Sequence, residues 1–285
     1  MDPSVAEFLL SPYTLALLGL CIGSFLNVVI HRLPLMLERG WRHESAELLG
    51  IKDDKADAET VTLSRPRSRC PSCKHAITWK ENLPVLSYLA LRGRCSACRT
   101  RIPARYPFVE IVTGILFALI GWRFGAHPVA LLWCGFAAAL VTLAGIDWDT
   151  TLLPDNITLP LLWAGLVASA LGWTIDLPDA LWGAVAGYVS LWCVYWLFKL
   201  TTGKEGMGFG DFKLLAALGA WMGLKMLLPI VLAASLIGAV VGIAMKFSDA
   251  LREGRYVPFG PFLAGAGLVA MLAGQPRVLH WLGWA

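Results

Sequence analysis

Charged residues are scarce in this chain: Asp, Glu, Lys and Arg make up only 15% of its 285 residues. A soluble domain carries about 25% charged and about 45–50% apolar residues. Here 57% of the residues are hydrophobic and the mean hydropathy is +0.62. These proportions exclude a single water-soluble globule, a disordered chain and a disulfide-rich secreted module. The net charge of +4 is too small to indicate a nucleic-acid partner.

Regular alternation of apolar and polar residues is also absent, so a membrane β-barrel is not expected. A spanning helix needs about 20 mostly apolar residues. The sequence therefore predicts an all-α polytopic membrane protein with about eight transmembrane helices in the lipid bilayer. Its apolar runs are 13–31, 107–124, 129–146, 156–173, 180–198, 212–224, 227–246 and 258–274. The run 212–224 is short and contains Lys213, so it either spans the membrane or is re-entrant.

The longest break between runs, 35–106, carries 14 of the 24 Lys and Arg residues. Loops rich in Lys and Arg stay in the cytoplasm. We therefore predict a first transmembrane helix (1–34) with its N-terminus outside, a small cytoplasmic insert (35–106) and a membrane bundle (107–285). Met1–Leu10 lack a basic start and a small-residue cleavage site, so the first helix is expected to be retained. Residues 43–62 are acidic, which is typical of a solvated excursion, and we assign them no function.

The insert contains two cysteine pairs, Cys70-Pro-Ser-Cys73 and Cys95-Ser-Ala-Cys98. Pairs at this spacing can surround one ion tetrahedrally, so we predict a structural site for one Zn²⁺, with iron as the minor alternative. Two disulfides are the other interpretation, which a reducing cytoplasm disfavours. A four-thiolate cage leaves no open position for catalysis, so the metal would serve to fold the insert. Packing is the expected role of the other cysteines, Cys21, Cys134 and Cys193.

Two acidic clusters lie at the predicted cytoplasmic edge of the membrane. The first runs from Asp147 through Asp149 to Asp155, and the second is Gly208-Phe209-Gly210-Asp211. Acids at the membrane edge are costly and are functional candidates by default. If the two helix ends meet, one Asp from each cluster could share a proton, so that one activates water while the other donates to a carbonyl.

The plainer interpretation of these acids is solvation or helix capping, with Asp155 or Asn156 before one helix and Asp211 before another. Competing hydrolase chemistries lack their motifs, because the sequence has neither GxSxG nor HExxH. The five histidines are scattered without ligand spacing.

Five motifs in order resemble the type IV prepilin leader peptidases, the bacterial branch of the GxGD aspartyl membrane proteases. The resemblance covers nearly the whole chain. The matching segments are Gly23–Pro34, Arg67–Cys73 with Leu91–Cys95, Arg105–Glu110, Ile146–Asp155 and Gly208–Asp211.

The resemblance implies that Asp147 and Asp211 are the catalytic acids and that Asp149 and Asp155 are supporting or capping groups. It implies an aspartic endopeptidase of the bacterial inner membrane, with its active site facing the cytoplasm. Its substrates would be type IV prepilins or type II secretion pseudopilins, from which it removes a short basic leader. Many members then methylate the new N-terminal residue with S-adenosylmethionine, and the four-cysteine insert is the family's metal-binding domain.

The residues that bind S-adenosylmethionine are unknown from the sequence, because no GxGxxG-type loop follows a strand. Asn27, Arg105 and Glu110 are candidate polar contributors to a methyl-transfer site.

Two functions from other classes compete with a peptidase. A transporter would place acids deep within its spans, whereas only Glu110 lies inside an apolar run. A zinc-ribbon scaffold would leave both Asp motifs unexplained.

Overall fold

The computed structural model describes residues 3–51, 61–247 and 257–284. This part of the chain is helical, with two isolated β-bridges and no named strand among the described residues. The acidic residues of the predicted excursion between 52 and 60 lie outside the described residues. The helices are α1 (Pro3–Leu9), α2 (Pro12–Leu49), α3 (Leu86–Ala90), α4 (Arg105–Phe124), α5 (Val129–Thr150), α6 (Asp155–Ala170), α7 (Leu177–Thr202), α8 (Phe209–Met222), α9 (Leu227–Phe247), α10 (Gly260–Ala273) and α11 (Gln275–Trp281).

Each predicted apolar run falls on one of these helices, so the all-α membrane fold is confirmed. Within the described ranges, five helices are long and apolar enough to cross a membrane, and a sixth if α10 and α11, bent by 103°, form one span. Three of the eight predicted spans, α6, α8 and α10, have only 16, 14 and 14 residues. All three are shorter than the roughly 20 residues that a straight span needs.

The chain divides into two compact units, Met1–Ala138 and Ala139–Ala285, with the boundary inside α5. In the first unit α2 packs along α4. Added Cβ atoms at Gly19 and Gly23 would lie 2.7 Å from the Thr113 carbonyl oxygen and from Glu110 Cα. Small residues at such positions let two helix backbones approach closely.

Helix α2 extends far beyond the predicted end of its apolar run. Ser11 caps its start by accepting a hydrogen bond from the Thr14 amide, and Gly50, in the left-handed region at φ 62°, ends it. Residues 43–49, which we expected to form a solvated excursion, are therefore a helical extension, although their side chains are mostly exposed.

Arg32 on α2 binds residues 62–66 of the insert. Its guanidinium donates to the backbone oxygens of Thr62, Leu63 and Pro66 at 2.9, 3.4 and 2.7 Å. One guanidinium thus supplies hydrogen-bond donors to three carbonyl oxygens of this irregular segment.

In the second unit α8 lies in the interior, packed against α6, α7, α9 and α10. Apart from Lys213, its residues from Asp211 to Met222 are buried. Gly183 and Gly219 bring α7 and α8 into backbone contact, and Trp221 Nε1 donates to the Leu161 carbonyl at 2.8 Å to join α8 to α6. Protein rather than lipid therefore surrounds α8.

Candidate active site and metal centre

Asp147 lies in the last turn of α5 with its side chain turned inward. It is 5% exposed, whereas its neighbour Asp149 is exposed. The Gly260 amide, at the start of α10, donates to Asp147 Oδ2 at 3.0 Å. An added Cβ at Gly260 would lie 2.6 Å from that oxygen, so only glycine lets the amide come this close.

Asp211 lies in the first turn of α8 and is 7% exposed. Its Oδ1 atom is buried and has no hydrogen-bond partner among the described residues. The carboxylates of Asp147 and Asp211 are close enough for their charges to interact. The structure thus brings together the two acids that the resemblance implied, Asp147 and Asp211, which lie 64 residues apart in the chain.

Leu153 packs near both catalytic candidates, Asp147 and Asp211. An added Cβ at Gly210 would lie 2.7 Å from Leu153 Cβ, and one at Gly260 would lie 3.1 Å from Leu153 Cδ1. The leucine therefore packs beside the residue that precedes Asp211 and beside the residue that binds Asp147. Sequence analysis did not assign a role to Leu153 or Gly260; the flanking Pro258 and Pro261 were the only local sign of a special turn.

The capping interpretation of the acids is wrong. Pro154 is the N-cap residue of α6, without a side-chain cap bond, and Gly208 is the N-cap residue of α8. Neither Asp155 nor Asp211 therefore occupies a cap position. Asp155 instead forms an ion pair with Lys213, whose Nζ lies 2.7 Å from both of its carboxylate oxygens.

Aromatic side chains support the start of α8 from α7. The ring of the buried Tyr195 lies 5.2 Å from that of Phe209 and 5.8 Å from that of Phe212. The Tyr195 hydroxyl donates to Glu205 at 3.3 Å, and Lys199 donates to Glu205 at 2.8 Å. The segment before Asp211 is thereby attached to α7 at Glu205 and at Phe209, on both sides of Gly206 and Gly208.

Two matching turns in the first unit hold the four cysteines. The Lys74 amide donates to the Cys70 carbonyl at 2.9 Å, and the Arg99 amide donates to the Cys95 carbonyl at 3.1 Å. Lys74 and Arg99 both have φ 62°, so the two turns repeat one backbone form.

The sulfur positions suit a tetrahedral ion. The ligand atoms of Cys70, Cys73, Cys95 and Cys98 all lie within 4.8 Å of one another, with Cys70 Sγ 3.7 Å from Cys98 Sγ and Cys73 Sγ 4.0 Å from Cys95 Sγ. Four sulfurs about 2.3 Å from one zinc lie about 3.8 Å apart. A disulfide needs about 2.05 Å, so the two-disulfide interpretation is wrong and the cluster could hold a metal.

The thiols of the cluster differ in acidity. A backbone hydrogen bond at His75 lowers the pKa of the Cys73 thiol, but burial and the hydrogen bonds with the other three thiols outweigh it and raise this pKa to about 11. Thr100 Oγ1 lies 3.2 Å from Cys98 Sγ, and this bond lowers the pKa of the Cys98 thiol to about 6. The thiolate is the form that binds metals.

Glu81 lies between the two cysteine turns and connects them by hydrogen bonds. It accepts hydrogen bonds from Ser96 Oγ and from the amide and hydroxyl of Thr78, and His75 Nε2 lies 3.3 Å from it. The Ser96 and Thr78 bonds lower the pKa of Glu81 to about 2. Sequence analysis did not identify this residue, because its partners meet only in the folded insert.

The three candidate methyl-transfer residues lie around the start of α4. Glu110 Oε2 accepts from the Val85 amide at 2.8 Å, and Asn27 Nδ2 donates to the Tyr106 carbonyl at 3.0 Å. Arg105 is the first residue of α4. These bonds connect the insert and α2 to α4, and a role in methyl transfer stays a prediction.

Two protein-family models match this chain. Residues 17–124 match the bacterial peptidase A24 N-terminal domain, and residues 134–243 match the type IV leader peptidase family. No solved structure gives a significant match.

Curated relatives named prepilin leader peptidase/N-methyltransferase cover most of the chain. The protein from Stutzerimonas stutzeri is 50% identical over 272 residues, which are 94% of this chain and 92% of that protein. The protein from Pseudomonas putida is 53% identical over 258 residues, 90% of this chain and 89% of that protein. The protein from Aeromonas hydrophila is 51% identical over 270 residues, with coverages of 93% and 91%. At this identity and coverage, the chain belongs to the type IV leader peptidase family.

Proposed function

We propose that this chain removes the short basic leader from prepilins or pseudopilins and then methylates the newly exposed N-terminal residue with S-adenosylmethionine. Family membership and the names of the relatives support both activities. The observation that carries the peptidase assignment is the pair of buried carboxylates, Asp147 and Asp211, which come from separate helices of one unit.

The two acids would act as a dyad that shares one proton. The Gly260 amide stabilises the ionised form of Asp147, whereas Asp211 Oδ1 has no donor among the described residues, which suits a protonated group. Asp147 then takes a proton from water as the water oxygen attacks the scissile carbonyl carbon. Asp211 donates its proton to the carbonyl oxygen.

Collapse of the tetrahedral intermediate breaks the C–N bond and returns the carbonyl-oxygen proton to Asp211. The proton on Asp147 goes to the leaving amine, which becomes the new N-terminus. Water is the only co-reactant, and both carboxyl groups recover their starting state.

The chain is an inner-membrane protein, and we place its dyad at the cytoplasmic face. The basic residues concentrated between 35 and 106 favour the cytoplasm for the insert, and the α5–α6 and α7–α8 loops that carry the acids fall on the same side in the predicted topology. A substrate with a basic leader keeps that leader inside for the same reason, so its bond lies at this face.

We also propose that Cys70, Cys73, Cys95 and Cys98 hold one structural Zn²⁺. Four thiolates would complete its coordination, so the ion would cross-link the two turns and take no part in hydrolysis.

The test uses the purified chain in phospholipid nanodiscs with a prepilin whose leader loss is followed by mass spectrometry. Asp147→Asn and Asp211→Asn should abolish cleavage, since loss of general acid–base help alone costs about 10²–10⁴-fold. The matched control, Asp149→Asn, removes an exposed carboxylate from the same helix and should keep most of the activity. Equal loss in all three variants, or cleavage by either dyad variant, would refute the assignment.

A further inference from the structure

The insert exposes an apolar segment beside its metal-binding turns. Trp79, Leu83, Leu86 and Leu89 are 73%, 42%, 66% and 66% exposed. These four residues, on α3 and the turn before it, are called the α3 patch below. Large apolar side chains that are exposed together in one short segment indicate a contact with another molecule or with a membrane.

The position of the α3 patch along the membrane normal follows from one hydrogen bond. The Val85 amide donates to Glu110 Oε2 at 2.8 Å, and Glu110 is the sixth residue of α4. Side chains on a helix lean toward its N-terminus, so the Glu110 carboxylate lies over the first turn of α4. The patch is therefore attached to α4 at that turn.

That turn of α4 lies at the edge of the hydrocarbon core. The helix has 20 residues, which span about 30 Å at 1.5 Å per residue. This length equals the roughly 30 Å thickness of the core. Phe108, in the first turns of α4, is 65% exposed, as expected for a residue that contacts acyl chains.

The charge of the insert matches an anionic lipid surface, and Lys80 Nζ lies 5.6 Å from the centre of the Trp79 ring. Between residues 61 and 104 the insert has one acidic residue, Glu81. Its basic residues in that range are Arg65, Arg67, Arg69, Lys74, Lys80, Arg92, Arg94, Arg99 and Arg101. Basic side chains beside exposed Trp and Leu residues are typical of segments that lie in the headgroup region.

We propose that the α3 patch inserts into the boundary between headgroups and acyl chains of the adjacent leaflet, so that the insert rests on lipid as well as on α2 and α4. The hydrogen bond that the Val85 amide donates to Glu110 sets its depth, and the basic residues select anionic headgroups. This inference does not depend on the peptidase assignment, because it uses residues of the first unit alone.

The test places the photo-crosslinking residue p-benzoylphenylalanine at Leu86 in the full chain. The protein is reconstituted in nanodiscs of phosphatidylglycerol and phosphatidylcholine, so phospholipid is the crosslinking partner supplied, and adducts are counted by mass spectrometry. Leu48 is the matched control: it is 88% exposed, and it lies about 21 Å along α2 beyond residue 34, the predicted end of the first span. Phe108, on the exposed face of α4, is the positive control.

Phospholipid adducts at Leu86 should come within about two-fold of those at Phe108, and they should be absent at Leu48. Replacing phosphatidylglycerol with phosphatidylcholine should lower the yield at Leu86 but not at Phe108. The proposal is overturned if Leu86 stays unlabelled while Phe108 labels, or if Leu86 and Leu48 label equally.

Discussion

The absence of a side chain at residue 260 determines how Asp147 is bound. The Gly260 amide reaches its carboxylate only because residue 260 has no side chain. A glycine on the same helix, Gly265, meets nothing within 4 Å of an added Cβ. Gly260 and Gly265 of α10 therefore differ in what a methyl group would touch.

Gly260→Ala should lower kcat/KM for leader cleavage by about 10²-fold, because a misplacement of about 1 Å in a catalytic group costs that much. Gly265→Ala, the control, should leave cleavage unchanged. The measurement is the rate of leader loss for variants whose thermal unfolding shows that they are folded. Wild-type cleavage by Gly260→Ala would show that this amide does not position Asp147.

The cost of acids at the membrane edge was sufficient to find the two acidic clusters in the sequence, but the choice of Asp147 over Asp149 and Asp155 rested on the resemblance to the family's motifs. The sequence could not identify Gly260, Leu153 or Glu81. Each acts through contacts with residues distant in the chain, and such contacts leave no local pattern of spacing or composition.

Among the elements, the insert depends on hydrogen bonds that cross between its two cysteine turns. Glu81 accepts from Thr78 and Ser96, and Ser96 lies between Cys95 and Cys98. An amide at this position would present a donor where its partners need an acceptor. Metal affinity should therefore depend on a residue that does not touch the ion.

Glu81→Gln should weaken metal binding about 10–100-fold, as is typical when groups that orient the ligands are lost. Competition of the purified chain with a coloured zinc chelator measures the affinity. Asn82→Ala, at the exposed neighbouring position, is the control and should bind metal like the wild type. Equal affinities for the two variants would contradict this role of Glu81.

The contact between α7 and α8 depends on the absence of side chains. An added Cβ at Gly219 would collide with the Gly183 carbonyl oxygen, whereas one at the exposed Gly135 of α5 would meet nothing within 4 Å. Since backbone atoms cannot move aside as a side chain can, alanine must push the two helices apart.

Gly219→Ala should destabilise the protein by about 1–3 kcal/mol, the usual cost of overpacking. Gly135→Ala should instead stabilise it by about 0.5–1 kcal/mol, because alanine restricts the unfolded backbone more than glycine does. Thermal unfolding of the two variants in detergent shows whether each change in stability is positive or negative. A stabilising effect of Gly219→Ala would mean that the helices are not in contact there.

The apolar runs predicted these helices well, because continuous apolar sequence has few alternatives to a membrane helix. They predicted lengths less well. Helix α2 runs on to Leu49 as a polar extension, and α8 spans only 14 residues. Hydropathy reports the composition of a segment, but it does not report whether lipid or protein surrounds it.

At the scale of the whole molecule, the proposed function assigns two activities to one chain. Hydrolysis needs the dyad, whereas methyl transfer needs a deprotonated amine beside a methyl donor. A free α-amino group has a pKa of about 7.7–8.0, so a sizeable neutral fraction exists without a carboxylate pair.

Asp147→Asn should therefore still methylate a synthetic peptide that already begins with the free amine, although it cannot cleave the precursor. The measurement is transfer of labelled methyl from S-adenosylmethionine to the pre-cleaved peptide, with wild-type protein as the control. Transfer by the wild type but not by the variant would show that the two sites overlap. Transfer by neither would leave the chain a peptidase only.

The short, enclosed helix that carries Asp211 has a mechanical consequence. At 14 residues α8 is about 21 Å long, less than the roughly 30 Å of the hydrocarbon core, and its neighbours are protein helices. A thicker or thinner bilayer tilts the helices that face lipid. It does not act directly on α8, because protein surrounds that helix. We therefore expect Asp211 to keep a constant depth relative to its neighbouring helices. A substrate helix in the lipid would shift relative to Asp211 when the acyl-chain length changes.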